Sequence, residues 1–317
     1  MTAPAMHDDD RPLLGVGLMF LAVAVVPAMD VLAKYLSETM PSGQVAWGRY
    51  GVQVLLTLPM VLAAAGWRGF WPPQIGLQLL RGLCFAASTT LFFTAIAYMP
   101  VADALALLFV EPMILTALSA LLLGERVGPR RWTAVVVGFA GVLIILRPGM
   151  GVASEGAPLA LASGVLFAFY FLTTRKLKGA APPIVTLAFG ALVGSVVLSA
   201  VLGAGTMLGD TGNFHFIAPE PWQWGALLAI GSIATGCHFL MVLAFERAPA
   251  SVLAPVSYFE IVSSAALGYL VFGDFPDVWT WVGIAVIVGS GIYIAWRERQ
   301  VHGTAAPKTV PEASAGV

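Results

Sequence analysis

Long apolar runs recur along this chain and leave little room between them. They lie near 13–33, 45–65, 75–99, 101–123, 132–147, 158–174, 184–203, 222–245, 251–272 and 278–296. Most come close to the ~20 apolar residues that a helix needs to cross the hydrocarbon core. Turn-forming residues separate them: Pro41-Ser42-Gly43, Pro72-Pro73, Gly128-Pro129, Pro148-Gly149 and Pro182-Pro183. Proline lacks a backbone donor and glycine frees the backbone, so these clusters end helices. The breaks at Pro100 and Pro249 are short and predict tight helical hairpins. The pattern predicts an all-α membrane protein of about ten transmembrane helices. The first run, Leu13 to Ala33, is too long for the apolar part of a signal peptide, ~7–15 residues, and reads as an uncleaved first helix.

Composition agrees. Of 317 residues, 59% are hydrophobic and only 10% charged. A soluble domain carries about 25% charged residues. Cys84 and Cys237 sit inside apolar runs and read as small core side chains, not as a disulfide. No Walker motif and no multi-histidine zinc set occurs, so neither ATP hydrolysis nor intramembrane metalloprotease chemistry is expected, and no cofactor.

Charge sets the expected orientation. With a cytoplasmic N-terminus, Arg11, Arg68, Arg81, Arg126, Arg130, Arg131, Arg175, Lys176, Lys178, Arg247, Arg297, Arg299 and Lys308 fall inside, whereas Lys34, Arg49 and Arg147 fall outside. A bias of 13 to 3 among the 16 basic residues follows the positive-inside rule and predicts that both termini are cytoplasmic. The tryptophans fall at span ends, Trp47, Trp222, Trp224, Trp279 and Trp281 outside and Trp67, Trp71, Trp132 and Trp296 inside. There an indole has both an apolar layer and a polar partner.

A shift of 149 positions superposes two stretches without a gap. Pro100 meets Pro249, Glu111 meets Glu260, Gly124 meets Gly273, Glu125 meets Asp274 and Trp132 meets Trp281. Upstream, a shift of 142 brings Lys34 to Lys176, Ala46 to Ala188 and Gly48 to Gly190. Each copy holds five spans, and an odd number reverses the orientation of the second copy. Inverted repeats are a common transporter architecture, with the substrate site at the repeat interface. The predicted layout is a tail 1–11, a first repeat 12–147, a periplasmic linker 148–157, a second repeat 158–296 and a tail 297–317, around a central cavity faced by the third, fourth, eighth and ninth spans.

The run Gly124-Glu125-Arg126 through Trp132, followed by Gly138, Gly141 and Arg147-Pro148, resembles the end of an EamA domain, and Gly273-Asp274 through Trp281, Gly289 and Gly291 resembles a degenerate copy. Over residues 12–297 the chain is similar to the drug/metabolite transporter superfamily, and in general look to its bacterial amino-acid exporters of the YddG type. That resemblance implies ten helices around a cavity, alternating access without ATP and export of small polar metabolites across the bacterial inner membrane. Vitamins, nucleosides and drug-like cations are the other substrate classes. A receptor or scaffold is the reading from another class, and it has no need of two inverted copies. Expected partners are membrane lipid and a small-molecule substrate, with no nucleic acid; monomer and homodimer stay open.

Charges at membrane depth are expensive and mark pathways. The candidates are Asp30, Arg49, Asp103, Glu111, Glu260 and His238. Glu111 and Glu260 either meet a substrate ammonium or take up protons during the cycle, or they brace a bent helix, since Pro112 and Pro255 stand close by. Ser257 and Ser264, at i−3 and i+4 from Glu260, are expected to share its helix face. Asp30 and Lys34 are spaced to pair, and Arg49 could answer Asp30 or Asp103 or hold a substrate carboxylate. Two polar-aromatic stripes, Thr90-Thr94-Tyr98 and Ser163-Phe167-Tyr170-Thr174, read either as cavity lining or as interhelical bonding. Gly190 and Gly194 predict a close helix approach.

Overall fold

A computed structural model describes residues 12–303 except 123, 125, 126, 148–154 and 178. Among these residues the chain is all helix and turn, and ten helical stretches are long and apolar enough to cross a membrane. The spans are α1 (Pro12–Leu36), α2 (Ser42–Ala65), α3 (Ile75–Tyr98), the pair α4 (Val101–Leu108) and α5 (Glu111–Leu122), α6 (Pro129–Leu146), α7 (Gly156–Lys176), α8 (Pro183–Leu208), α9 (Pro221–Arg247), the pair α10 (Ala250–Ser257) and α11 (Phe259–Phe272), and α12 (Val278–Gly303). A short 3₁₀ turn, Gly66–Phe70, caps α2. Ten crossings return the chain to the face where it began. Arg11, Arg126, Lys178 and Lys308, used above for orientation, and Glu125 and Pro148 of the EamA-like run lie outside the described residues.

Two spans are broken, and they are repeat equivalents. Pro112 has no N–H to give the Leu108 carbonyl, and the chain turns at Phe109 and Val110 between α4 and α5. α10 ends at Ser257, two residues after Pro255, and Tyr258 joins it to α11. Phe109 and Tyr258 are themselves 149 positions apart.

The packing shows an exchange symmetry. α3 lies along α7 as α1 lies along α9, and α2 contacts α9 as α8 contacts α3. α1 meets α10 and α11 as α7 meets α4 and α5, while α2 with α8 and α6 with α12 are their own counterparts. Swapping the two sets of five helices therefore restores nearly the same contacts, as two inverted five-helix repeats around a cavity require. Several relationships break the symmetry: α2 packs on α3 and α5 on α6, whereas α8 with α9 and α11 with α12 have no comparable contact among the described residues. Another lies at the two faces: α4 packs on α11 at the face opposite the termini, but among the described residues α5 and α10 have no comparable contact at the terminal face. The bundle is closed on one side and parted on the other.

Small residues allow the close crossings. A Cβ on Gly194 of α8 would come within 2.9 Å of the Tyr50 ring on α2, so the expected close approach is real at this glycine. Cys84 and Cys237 are both free and buried.

Candidate functional site

A cavity of about 150 Å³ lies in the middle of the bundle. Its walls come from α1, α2, α3, α4, α7, α9 and α11, so the first, second and sixth spans join the four expected to face it. Asp30, Arg49, His238 and Glu260 all reach it, among Phe85, Phe92, Phe109 and Phe167. Of the six charged or imidazole candidates, it thus gathers four.

Arg49 is the unusual member. It is 2% exposed, and its Nε and Nη1 are buried without a hydrogen-bond partner among the described residues. Its guanidinium carbon lies 4.6 Å from the Tyr50 ring centre and 5.1 Å from that of Phe85. Aromatic faces attract a cation, but they do not replace hydrogen bonds to a guanidinium. Asp30, 3% exposed, is buried beside it on α1. His238 is tied down: its Nδ1 is 2.7 Å from the Ala234 carbonyl, and its ring stands edge-on to Phe85 at 5.7 Å. Phe85 continues into a stack, 4.7 Å from Tyr170 and 6.0 Å from Phe167. Tyr170 in turn accepts a hydrogen bond from Arg81 Nη2 at 2.9 Å and lies under its guanidinium, which fixes that wall.

A second cavity, about 350 Å³, lies toward the terminal face between α5 and α10. Glu111, 8% exposed, lines it with Arg131, Arg175, Ser119, Ser257 and Tyr258. Phe109 borders both cavities, and its ring centre is 5.1 Å from that of Tyr258. These two aromatic residues stand between the chambers at the two helix breaks.

Several expectations require correction. Glu111 and Glu260 do not share a site: one faces each chamber. The break at Tyr258 also turns Ser257 away from the face of Glu260, into the second chamber. Ser264 Oγ is buried with no hydrogen-bond partner. Lys34 does not pair with Asp30. Its Nζ bonds Asp274 Oδ2 at 2.7 Å and the Met99 carbonyl at 3.2 Å, across the repeats and over the Phe272 ring. Asp103 lies near this outer cluster and not beside Arg49, since Asp277, Asp274, Arg147 and Lys34 supply the charges around it. Arg147 Nη2 donates to Asp277, a second tie between repeats at the same face. Thr90 and Thr94 bond the carbonyls of Ala86 and Thr90 one turn back, at 2.8 Å each, and line neither chamber; Tyr98 is half exposed. Ser163 exchanges hydrogen bonds with Ser88 at 2.8–3.0 Å and clasps α7 to α3. Phe85, Phe109, Tyr258, Arg131 and Arg175 were not singled out from the sequence as binding residues. The 149-position shift carried a signal for one pair, because it brings aromatic Phe109 onto aromatic Tyr258.

The arrangement can present a guanidinium donor, two carboxyl groups and flat apolar walls to one small solute. Comparison with known proteins finds transporters. The chain is 26% identical over 287 residues to an S-adenosylmethionine uptake transporter of Rickettsia bellii, covering 90% of this chain and 95% of that protein. It is 27% identical over 296 residues to a riboflavin transporter of Rhizobium johnstonii, covering 92% and 94%. A pseudopaline exporter of Pseudomonas aeruginosa is 28% identical over 276 residues, covering 86% and 93%. A solved crystal structure shares the fold at TM-score 0.60 with 20% identity, over 90% of this chain and 98% of that one. The EamA-like transporter family matches twice, over residues 13–147 and 154–296, and the chain belongs to that family.

Proposed function

We propose that the chain is a secondary transporter that exports small zwitterionic metabolites, amino acids or compounds with an amino-acid end, across the bacterial inner membrane by alternating access. Both termini are then cytoplasmic, and the parted face is the cytoplasmic one. The observation that carries the reading is Arg49, a buried guanidinium with unpartnered nitrogens in the same chamber as Asp30 and Glu260. A substrate carboxylate would take the fork of Arg49 and its ammonium the carboxyl groups. Chamber size supports a small group. Drug-sized ligands occupy pockets of roughly 300–1,000 Å³, and the central chamber offers about 150 Å³. An amino-acid end fits there while a larger remainder lies toward the second chamber.

Flux into and out of proteoliposomes tests this, with radiolabelled amino acids and S-adenosylmethionine as probes and riboflavin as the uncharged comparison. Saturable flux of a zwitterion, lost in Arg49→Gln, is expected. Flux of riboflavin alone would overturn the substrate class and favour a second reading, transport of a flat heteroaromatic vitamin, for which the stack of Phe167, Phe85 and Tyr170 is the supporting feature.

A further inference from the structure

The chamber at the terminal face carries its own charge pattern, which the central site does not explain. Arg131 comes from α6, Arg175 from the end of α7, and Glu111 faces them from α5. Arg175 Nη1 donates to Ser119 Oγ at 3.4 Å. Arg131 Nη2 is buried with no hydrogen-bond partner among the described residues, although this residue lines an open chamber of about 350 Å³. A guanidinium nitrogen left so costs free energy unless a ligand answers it.

The inverted repeat supplies a control for what the fold itself needs. Glu111 has its counterpart in Glu260, so the carboxyl belongs to both copies. Arg131 corresponds to Thr280 at the 149-position shift, and Arg175 to Ala33 at the 142-position shift. The same bundle is therefore built at the opposite face without either guanidinium. Positive-inside bias asks only for basic residues in the headgroup layer, and the neighbours Arg130 and Lys176, both exposed, meet that demand. Arg131, half-buried, and Arg175, itself exposed, also border the chamber.

We propose that this chamber is an anion-attracting vestibule, in which Arg131 and Arg175 receive the carboxylate of a solute before it passes Phe109 and Tyr258 into the central site. The proposal deepens the transporter reading above and rests on it. Two guanidinium groups against one carboxyl favour anions, and focusing of charge in a narrow cleft raises their local concentration. Glu111 sets the polarity of a zwitterion, ammonium toward α5 and carboxylate toward α6 and α7. Because the opposite face has Thr280 and Ala33 at the matching positions, the capture step is one-sided, and carboxylate-bearing solutes load from the terminal face.

A thiol probe tests the vestibule without any flux measurement, so a chain that transports nothing tested still gives an answer. In full-length protein with Cys84→Ala and Cys237→Ala, Ser119→Cys and, separately, Thr116→Cys place one thiol on the chamber wall. Each is labelled with anionic sulfonatoethyl methanethiosulfonate and with cationic trimethylammonioethyl methanethiosulfonate. The thiolate attacks the sulfenyl sulfur, a mixed disulfide forms and methanesulfinate leaves. Rates are referred to those of free cysteine. The anionic reagent should be preferred, and Arg131→Gln with Arg175→Gln should lower the preference by about tenfold, in keeping with charge attraction in a partly wet cavity. Arg131→Lys with Arg175→Lys should retain most of it. An unchanged preference in the Gln pair overturns the vestibule, as does failure of both cysteines to react. Anionic labelling that slows only in vesicles containing phosphatidylglycerol would assign the site to a lipid headgroup and overturn the solute assignment.

Discussion

Phe109 and Tyr258 are the same position in the two repeats, and their rings meet 5.1 Å apart where the two broken spans cross. A contact between equivalent residues can form only on or near the axis that relates the repeats. Both chambers end at Phe109, so the pair separates them in this conformation. Moving a solute between the chambers requires this contact to open.

Tyr258 has a tight seat that makes the contact testable. A Cβ on Gly291 of α12 would collide with the Tyr258 hydroxyl. Gly291→Ala is expected to displace Tyr258, lower the melting temperature by an amount matching about 1–3 kcal/mol of overpacking, and slow flux. Adding Tyr258→Phe, which removes the hydroxyl, should restore melting. A double variant no more stable than Gly291→Ala alone would show that the clash lies elsewhere.

Glu260 is expected to act by charge. Glu260→Gln should reduce flux of zwitterions by about tenfold, equivalent to ~1.4 kcal/mol, with normal expression and melting. If the carboxyl only braces the start of α11, Glu260→Gln will transport fully at every pH, and only Glu260→Ala will lower melting.

Arg49 should behave differently from a structural arginine. Its Nε and Nη1 make no hydrogen bond among the described residues, so Arg49→Gln is expected to leave melting unchanged or raise it. Substrate affinity should fall tenfold or more, from loss of a charge-assisted bond of about 1.5–3 kcal/mol. A large drop in melting with unchanged affinity contradicts this assignment.

The ties between repeats at the closed face give a conformational prediction. Lys34→Ala combined with Asp277→Ala removes the bonds to Asp274 and Arg147 and should populate a form open at that face. Thiol labelling at Ser88→Cys, on the wall of the central chamber, should then become faster from the side opposite the termini. Equal rates in parent and variant would remove these pairs from any gating role.

The same corner sets a pH dependence. The Thr280 N–H, donating at 2.7 Å, holds the Asp277 carboxyl below its ordinary value of 3.8, and Arg147 adds to this. A depressed folded-state value means that the contribution is fully present above the ordinary value. It is lost as pH falls through the lower, folded value. Melting should therefore drop on acidification below about pH 4, and the Asp277→Asn variant should lose that part of the drop.

The spans and the repeat were legible because lipid imposes strong rules on sequence. A crossing helix must be apolar over its length, and its ends carry prolines, glycines and indoles. The site was legible only in part. Asp30, Arg49, His238 and Glu260 stood out as charges or imidazole at membrane depth and do converge. Helix periodicity placed Ser257 on the face of Glu260, but periodicity assumes an unbroken helix, and the turn at Tyr258 resets it. Spacing along α1 offered Asp30 to Lys34, whereas the partner of Lys34 is 240 positions away. The threonines of α3 satisfy themselves on their own backbone, which hydropathy and spacing do not reveal.

The pairing of α1 with α9 and of α3 with α7 has a consequence for biosynthesis. α1 enters the membrane well before α9, the helix it lies along, which begins only at Pro221, about two-thirds of the way down the chain. Asp30 must then wait in the bilayer until most of the protein has been made. Neither set of five helices holds its own best neighbours, so a chain cut after residue 147 should be degraded when produced alone. Produced together as separate polypeptides, the two halves should find each other and rescue one another, each acting as the other's template.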